Sequence, residues 1–280
     1  MTERLTELIR RTTSDLPPDI EAALAHAAAE AASGSQASLF LNSILENARL
    51  AREQSTPLCQ DTGTLTFFWR VPRGTDTLAL EHAAQDAVKA ATVNGWLRQN
   101  TIETLTGVSV ATNVTNGAPL CHFEQADDPP FEVWLLQKGG GSENVSCQFS
   151  LPDDALGVGR DLDGVRKCVL NAVWQAQGFG CAPGVLGVCI GADRGEGFIQ
   201  AKKQLLRSLD DTSPLPELAD LERRVLDEAN QLGIGPMGMG GAPTLLGVKI
   251  VAAPRLPASY FVTVAYMCWA CRRRVLRLTF

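Results

Sequence analysis

The sequence lacks several features that define whole classes of protein. No apolar run reaches the roughly 20 residues that a helix needs to cross a bilayer, and the charged first residues (1–16) lack a secretory apolar core. Aromatic residues make up only 6% of the chain and rarely alternate with basic ones, which argues against a nucleic-acid groove. We therefore expect a cytoplasmic protein that contacts neither a membrane nor nucleic acid.

Acidic residues are missing from the last part of the chain. No Asp or Glu follows Glu228, whereas six basic residues do: Lys249, Arg255, Arg272, Arg273, Arg274 and Arg277. The net charge of −6 therefore combines an acidic segment with a basic one. A local positive field of this kind suits an acidic small molecule or an acidic partner subunit.

The compact four-cysteine patterns of zinc and ferredoxin sites are also missing. The eight cysteines form neither a paired C-x-x-C zinc pattern nor a ferredoxin run, and an intracellular chain of this size needs no disulfides. Three widely spaced thiolates could still hold an iron–sulfur cluster and leave one iron open to water and substrate. Spacing alone does not choose three of the eight, and any one could be a small buried apolar residue.

Composition and periodicity predict a globular protein of the mixed α/β (α+β) class. We expect one domain over 1–280, in which helical residues 1–55 pack on a mixed-sheet lobe (56–280) with glycine-rich site loops. Helices are predicted at 20–32, 37–53, 78–97, 162–177, 196–209 and 214–232. Strands are predicted at 65–71, 108–114, 120–123, 131–137, 185–190, 245–252 and 260–266, with a further short strand after a glycine turn at 138–144.

Two generic motifs stand in unusual contexts. The glycines at 233, 235 and 238 match a dinucleotide fingerprint, but a helix precedes them and a strand follows, which favours a tight loop. Cys268 and Cys271 form a C-x-x-C pair before three arginines, which could support redox exchange, although a thioredoxin-like chain would carry the pair near its start.

Three glycine-flanked polar turns occur in one chain, namely CQDTG (59–63), KGGGSEN (138–144) and GIGPMGMGG (233–241). Backbone amides in such turns can approach an anion closely. Each turn alone is more often a plain loop than a site. Three of them, with cysteines at the ends of neighbouring strands, favour a site.

Five blocks in fixed order give the chain a specific resemblance, covering about residues 20–273. The blocks are PLCQDTG (57–63), KGGGSEN (138–144), GCAPGVLGVCIGADRGEGFIQAKKQLLR (180–207), GIGPMGMGGAPTLLGVKI (233–250) and YMCWACRR (266–273). Together they resemble the alpha (N-terminal) half of the class I iron–sulfur fumarate hydratase and L(+)-tartrate dehydratase family.

The resemblance implies a cofactor and a set of site residues. A 4Fe–4S cluster would be held by Cys59, Cys181 and Cys268, with its open iron binding the substrate hydroxyl and a carboxylate. Asp61 matches the acid/base carboxylate of the family, although in a turn an aspartate can also cap its own backbone. The residues implied to contact substrate are Gln60 and Arg98 through their side chains, and Gly140 and Gly141 through their backbone amides.

The chain departs from the family pattern in several places. CAPG replaces the commoner C-P-P-G, GAD replaces G-G-D, and GAPT replaces a basic residue followed by threonine. The family usually places a histidine before the third cysteine, where this chain has Pro254 and Arg255. The histidines are at positions 26, 82 and 122 only, so Arg255 could take an electrostatic role.

The resemblance also implies a partner and leaves the substrate open. We expect a separate beta subunit, further dimerisation of the pair, and no activity from this polypeptide alone. The leading hypothesis is a hydro-lyase that reversibly hydrates fumarate to malate, and the nearest alternative is dehydration of tartrate, another small dicarboxylate. A non-catalytic, regulatory cluster-binding subunit is the alternative of a different class.

Overall fold

The computed structural model describes residues 1–278. It has an α+β fold, which confirms the predicted class. Its helices are α1 (Thr2–Ser14), α2 (Pro18–Glu30), α3 (Gln36–Gln54), α4 (Thr77–Val93), α5 (Gly140–Asn144), α6 (Leu162–Ala176), α7 (Arg194–Gln204) and α8 (Pro216–Gln231). Its strands are β1 (Thr64–Pro72), β2 (Leu120–Ala126), β3 (Glu132–Lys138), β4 (Cys147–Ser150), β5 (Gly184–Gly191), β6 (Leu245–Ala253), β7 (Phe261–Met267) and β8 (Arg272–Arg277).

The structure corrects three of the predicted elements. The predicted strand at 108–114 is a loop, in which Val108 is 63% exposed and Val114 is partly buried against a hydrophobic core. The glycine turn at 138–144 contains the short helix α5. Strand β8 was not predicted because its arginines are typical of a solvated tail, yet Arg272 and Arg273 are buried.

The chain divides into two compact units, of which the first comprises residues 1–17, 46–140 and those from Arg272 onwards. Its sheet has the order β2-β1-β3-β8, with β1 parallel to β2 and antiparallel to β3. Helix α1 packs against both α4 and this sheet. The core joins Leu5 and Ile9 of α1 to Phe67 and Trp69 of β1, all of them almost fully buried.

The second unit comprises residues 18–45 and 141–271. Its sheet has the order β4-β7-β5-β6, with β5 parallel to β6 and antiparallel to β7. Every residue of β5 is buried, as expected for a central strand covered on both faces, and its run GVLGVCIG is correspondingly apolar. Helices α6, α7 and α8 pack on this unit's strands.

No helix within residues 1–278 combines the length and the apolar character needed to cross a membrane.

Candidate active site

The carboxylate of Asp61 is held by two backbone amides in the first unit. Its Oδ1 accepts a hydrogen bond from the Gly63 N–H at 3.0 Å, which is the local turn-capping bond expected of an aspartate in this position. Its Oδ2 accepts from the Gly140 N–H at 2.7 Å, a bond between residues 79 positions apart. Asp61 therefore caps its own turn and is also fixed by the second glycine turn.

Two glycines allow these turns to lie directly against each other. A Cβ on Gly63, whose φ is +79°, would lie 2.8 Å from the carbonyl carbon and oxygen of Lys138. A Cβ on Gly139 would lie 2.8 Å from Asp61 Oδ2. Real Cβ contacts are longer than this, so a side chain at either position would push the turns apart.

Arg272, at the start of β8, supports the Asp61 turn from within the core. It is 1% exposed, and its Nη1 donates to the Asp61 carbonyl oxygen at 2.8 Å. Its Nε is buried without a hydrogen-bond partner among the described residues. The sequence indicated only a basic tail here, and the signal that could have identified Arg272 is its position directly after the cysteine motif.

Arg98 and Gln60 are exposed and belong to two segments that hydrogen bond to each other. The Arg98 N–H donates to Thr62 Oγ1 at 3.3 Å. Asn100 Nδ2 lies 3.3 Å from the Gln60 carbonyl oxygen and 3.5 Å from Asp61 Oδ1. The structure therefore brings the predicted Arg98, Gln60 and Asp61 together in the first unit, and adds Asn100.

A cavity of about 300 Å³ opens beside Asp61 within the first unit. Its size suits a small ligand. The residues that line it are Asp61, Gly63, Thr64, Leu65, Asn100, Thr101, Ile102, Asn113, Ala118, Pro119 and Gly140. Since the Gly140 N–H already donates to Asp61, this amide positions the carboxylate.

Cys181 and Cys268 belong to adjoining turns of the second unit. The N–H of Trp269, which follows Cys268, donates to the Cys181 carbonyl oxygen at 3.1 Å. Burial raises the pKa of the Tyr266 hydroxyl, and negative charge on Cys268 and Cys181 raises it further. Cys59 belongs to the first unit, so the convergence of all three predicted ligands stays a prediction.

The Cys181 turn packs closely against the ring of Tyr266. A Cβ on Gly180 or on Gly184 would overlap this ring, which is why glycine flanks the turn on both sides. The Met237 N–H donates to the Ala182 carbonyl oxygen at 2.8 Å and ties the turn to the glycine-rich loop before β6. Gly141 also belongs to the second unit, and a Cβ there would lie 3.4 Å from the Phe179 carbonyl oxygen.

The cysteines of the chain differ in their accessibility and in the pKa of their thiols. None of the eight cysteines forms a disulfide. Cys59 is exposed, and Cys181 and Cys268 are half-buried, as are Cys121 and Cys147. Burial raises the pKa of Cys121 and Cys168 to about 12 and that of Cys147 and Cys189 to about 11, which disfavours the thiolate form that binds metal. Cys271 is fully buried.

The donor set therefore fits a cluster bound by accessible thiolates. A site for a single metal ion has a stricter requirement, because all of its ligands must converge on that one ion. Over the part of the chain that the structure describes, no three His, Cys, Asp or Glu side chains are grouped to hold one metal ion.

Comparison with known proteins identifies the family of the chain. The family model described as fumarate hydratase (Fumerase) matches residues 2–277. The chain belongs to this fumarate hydratase family. A relative from Geobacillus stearothermophilus, provisionally named a class I fumarate hydratase, is 46% identical over 274 residues. That alignment covers 97% of this chain but 53% of the relative, so the chain spans about half of that protein's length.

Two further members of the fumarate hydratase family match over most of their own length. A Methanocaldococcus jannaschii protein, provisionally named L(+)-tartrate dehydratase subunit alpha, is 34% identical over 280 residues, or 98% of this chain and 96% of its own. The L(+)-tartrate dehydratase subunit alpha of Escherichia coli K12 is 30% identical over 281 residues, or 98% and 90%.

Arg255 occupies the loop in which the fumarate hydratase resemblance led us to expect a histidine. Its Nη1 donates to the carbonyl oxygens of Leu256, Pro257 and Ser259 at 3.0–3.3 Å, and its guanidinium lies 4.7 Å from the centre of the Tyr260 ring. In the second unit this side chain therefore stabilises its own loop.

Proposed function

We propose that the chain is the alpha part of an iron–sulfur hydro-lyase that reversibly hydrates fumarate to malate. The observation that carries the proposal is the Asp61 carboxylate, fixed by two amides at the wall of a small cavity and two residues after an accessible cysteine. The 46% identity to a protein provisionally named class I fumarate hydratase supports the same activity.

Cys59, Cys181 and Cys268 would hold the 4Fe–4S cluster of this enzyme. When bound, such a cluster supplies Lewis-acid chemistry that makes a hydroxyl group a better leaving group. This choice of ligands is supported by the remaining cysteines, because Cys271 is fully buried and burial raises the thiol pKa of Cys121, Cys147, Cys168 and Cys189.

Asp61 would act as the acid/base group that transfers the proton in the reaction. Its Oδ2 accepts one hydrogen bond, from Gly140, and a carboxylate oxygen has two lone pairs, so Oδ2 keeps one with which to take up a proton. That proton would come from the carbon next to a substrate carboxylate. Arg98 would bind this carboxylate through its planar guanidinium, while Gln60 and Gly141 would contact the rest of the substrate.

Tartrate is the second candidate substrate. The relatives that this chain matches over nearly their whole length carry the name tartrate dehydratase subunit alpha, at 34% and 30% identity. The higher identity of the fumarate hydratase relative favours fumarate. Both substrates are small dicarboxylates, which a cavity of about 300 Å³ and an arginine would suit.

A separate beta subunit would complete the enzyme, and the pair would dimerise further. Support comes from the length of the Geobacillus relative and from the subunit names of the others. We also propose a cytoplasmic location, which is supported by eight cysteines that form no disulfide.

The activity is tested by anaerobic purification with and without a candidate beta subunit, followed by fumarate and tartrate assays. We expect turnover of fumarate, faster than tartrate, only when both subunits are present. Full cluster loading without turnover of either substrate would contradict the proposal and favour a non-catalytic, regulatory cluster subunit.

The ligand set is tested separately by cysteine replacement. Changing Cys59, Cys181 or Cys268 to Ser should abolish the brown absorbance of the anaerobically purified protein. The matched controls are the Ser variants at the positions Cys121, Cys147 and Cys168, which should keep it. Loss of colour in a control variant that still folds would show that the ligand assignment is wrong.

A further inference from the structure

Asn113 is a buried side chain that joins three parts of the first unit. It is 5% exposed, and its Nδ2 donates to the Arg98 carbonyl oxygen at 2.8 Å and to Thr92 Oγ1 at 3.0 Å. Its Oδ1 accepts from the Thr101 N–H at 3.0 Å. One amide group therefore ties both ends of segment 98–101 to the last turn of α4.

The backbone at this position explains why asparagine stands there. Asn113 has φ +59°, in the left-handed region that most residues with a side chain avoid and that Asn tolerates best after Gly. Glycine could adopt this conformation but has no amide to make the three bonds. The position thus requires both the backbone tolerance and the side chain of asparagine.

The segment that Asn113 holds carries two residues of the candidate active site. Arg98 begins it and bonds through its N–H to Thr62, beside Asp61. Asn100 lies in its middle and contacts the Gln60 carbonyl oxygen and Asp61 Oδ1. Both donors of the Asn113 amide are used within the protein, so the side chain is placed to orient this segment and has no donor left for a ligand.

We propose that Asn113 is a positioning residue that sets the affinity for the substrate by holding Arg98 in place; the inference rests on the proposed function. Arg98 would bind a carboxylate that is present in both the ground state and the transition state. Loss of such uniform binding raises KM and leaves kcat nearly unchanged. Asn113 should therefore affect KM through Arg98, with little effect on the chemical step.

The test uses the complete, cluster-loaded enzyme with fumarate as the probe. Asn113→Gly keeps the backbone conformation and removes the three bonds, so we expect KM to rise about tenfold with kcat within about twofold. The matched control is Thr106→Ala, because Thr106 lies in the same loop and its hydroxyl bonds to Glu103 and to the Val108 N–H, outside segment 98–101. The control should leave both constants unchanged.

A double-mutant cycle with Arg98→Ala separates positioning from other roles. If Asn113 acts through Arg98, adding Asn113→Gly to Arg98→Ala should raise KM no further. A further increase in KM would mean that Asn113 contacts the substrate itself, and would overturn the proposal. So would a lowered melting temperature with loss of kcat and an unchanged KM, because that pattern belongs to a folding role.

Amide hydrogen exchange tests the same contact without any turnover. In Asn113→Gly the amides of segment 98–101 should lose protection, while those of residues 103–108 keep theirs. If the wild-type enzyme turned over neither dicarboxylate, the proposed function would fail, and this measurement alone would decide the positioning role. Unchanged protection of 98–101 would overturn it.

Discussion

Gly139 is the residue at which the smallest change should disturb the Asp61 carboxylate. A Cβ there would lie 2.8 Å from Asp61 Oδ2, the atom that also accepts from the Gly140 N–H. We predict that Gly139→Ala lowers kcat at least tenfold, because the carboxylate must move or lose its amide, and that it destabilises the fold by about 1–3 kcal/mol. Steady-state kinetics and urea unfolding would measure the two effects.

Gly195→Ala provides the matched control for this change. Gly195 lies in the first turn of α7, where a Cβ would meet only Asp193 Oδ1 at 3.7 Å. Activity should be unchanged, and stability should be equal or up to about 1 kcal/mol higher, since alanine favours helix more than glycine does. Equal kcat in the Gly139 and Gly195 variants would contradict the assigned role of the close contact.

Some residues of the candidate active site were predicted from the sequence, and others were found only in the structure. Asp61, Gln60 and Arg98 were predicted from the family motifs, and in the structure the segments that carry them hydrogen bond to each other, while their roles stay predictions. Arg272 and Asn113 were missed, because their roles come from bonds that a local pattern does not contain. The Arg272 bond to Asp61 spans 211 residues, and Asn113 lies in a loop that resembled a strand.

Helix α1 contains an ion pair that should make stability depend on pH. Hydrogen bonds from Arg10, together with a weaker effect from Arg11, lower the pKa of Glu7 from 4.5 to about 2. Because the folded pKa is lowered, the pair stabilises the fold above about pH 4.5, and this contribution is lost as the pH falls towards 2. The side chains are partly exposed, so the effect should stay below about 1 kcal/mol.

The measurement compares the pH dependence of urea unfolding in the cluster-free protein and in Glu7→Gln. Between pH 5 and 2 the wild type should lose more stability than the variant, while at pH 7 the variant should be the less stable of the two. Parallel curves for the two proteins over this range would show that the carboxylate is not held in this way.

Helix α8 is joined to β6 by a buried carboxylate. Glu222 is 6% exposed and accepts from Arg207 Nη1 at 2.8 Å, from the Ile250 N–H at 2.7 Å and from the Ser213 N–H at 3.3 Å. We predict that Glu222→Ala costs about 2–4 kcal/mol in unfolding free energy, because two buried amides lose their acceptor and the half-buried Arg207 guanidinium loses one of its two carboxylate partners.

Asp220→Ala is the control for the α8 prediction, because its ion pair with Arg223 is exposed and should contribute at most about 1 kcal/mol. Urea unfolding of both variants gives the comparison. Equal losses of stability would mean that the buried contacts of Glu222 contribute no more than a surface pair.

Elements were predicted well where periodicity and burial agree. The central strand β5 and helix α6 lie within one residue of their predicted bounds, because an apolar run and an amphipathic stripe are local signals. The strand predicted at 108–114 was wrong because its valines favour a strand, whereas the segment forms a loop. Strand β8 was missed because the burial of its arginines depends on contacts with β3 and α1, which are distant in sequence.

At the scale of the whole molecule, the need for a beta subunit can be tested by titrating that subunit into the cluster-loaded chain. The chain spans 53% of the Geobacillus relative, so we predict that the cluster-loaded chain alone has no measurable turnover. Added beta subunit should restore fumarate hydration up to an equimolar ratio, where activity reaches a plateau. Turnover by the chain alone would contradict the prediction.

The Asp61→Asn variant makes this titration specific, because it changes the proton-transferring group while nearly preserving its volume. Such a chain should still bind the beta subunit and should therefore compete with the wild type when that subunit is limiting. At equal amounts of the two chains, activity should fall to about half of its initial value, as expected for competitors of equal affinity. If activity stayed constant while the variant remained folded and loaded, the two subunits would not associate through this chain in the proposed way.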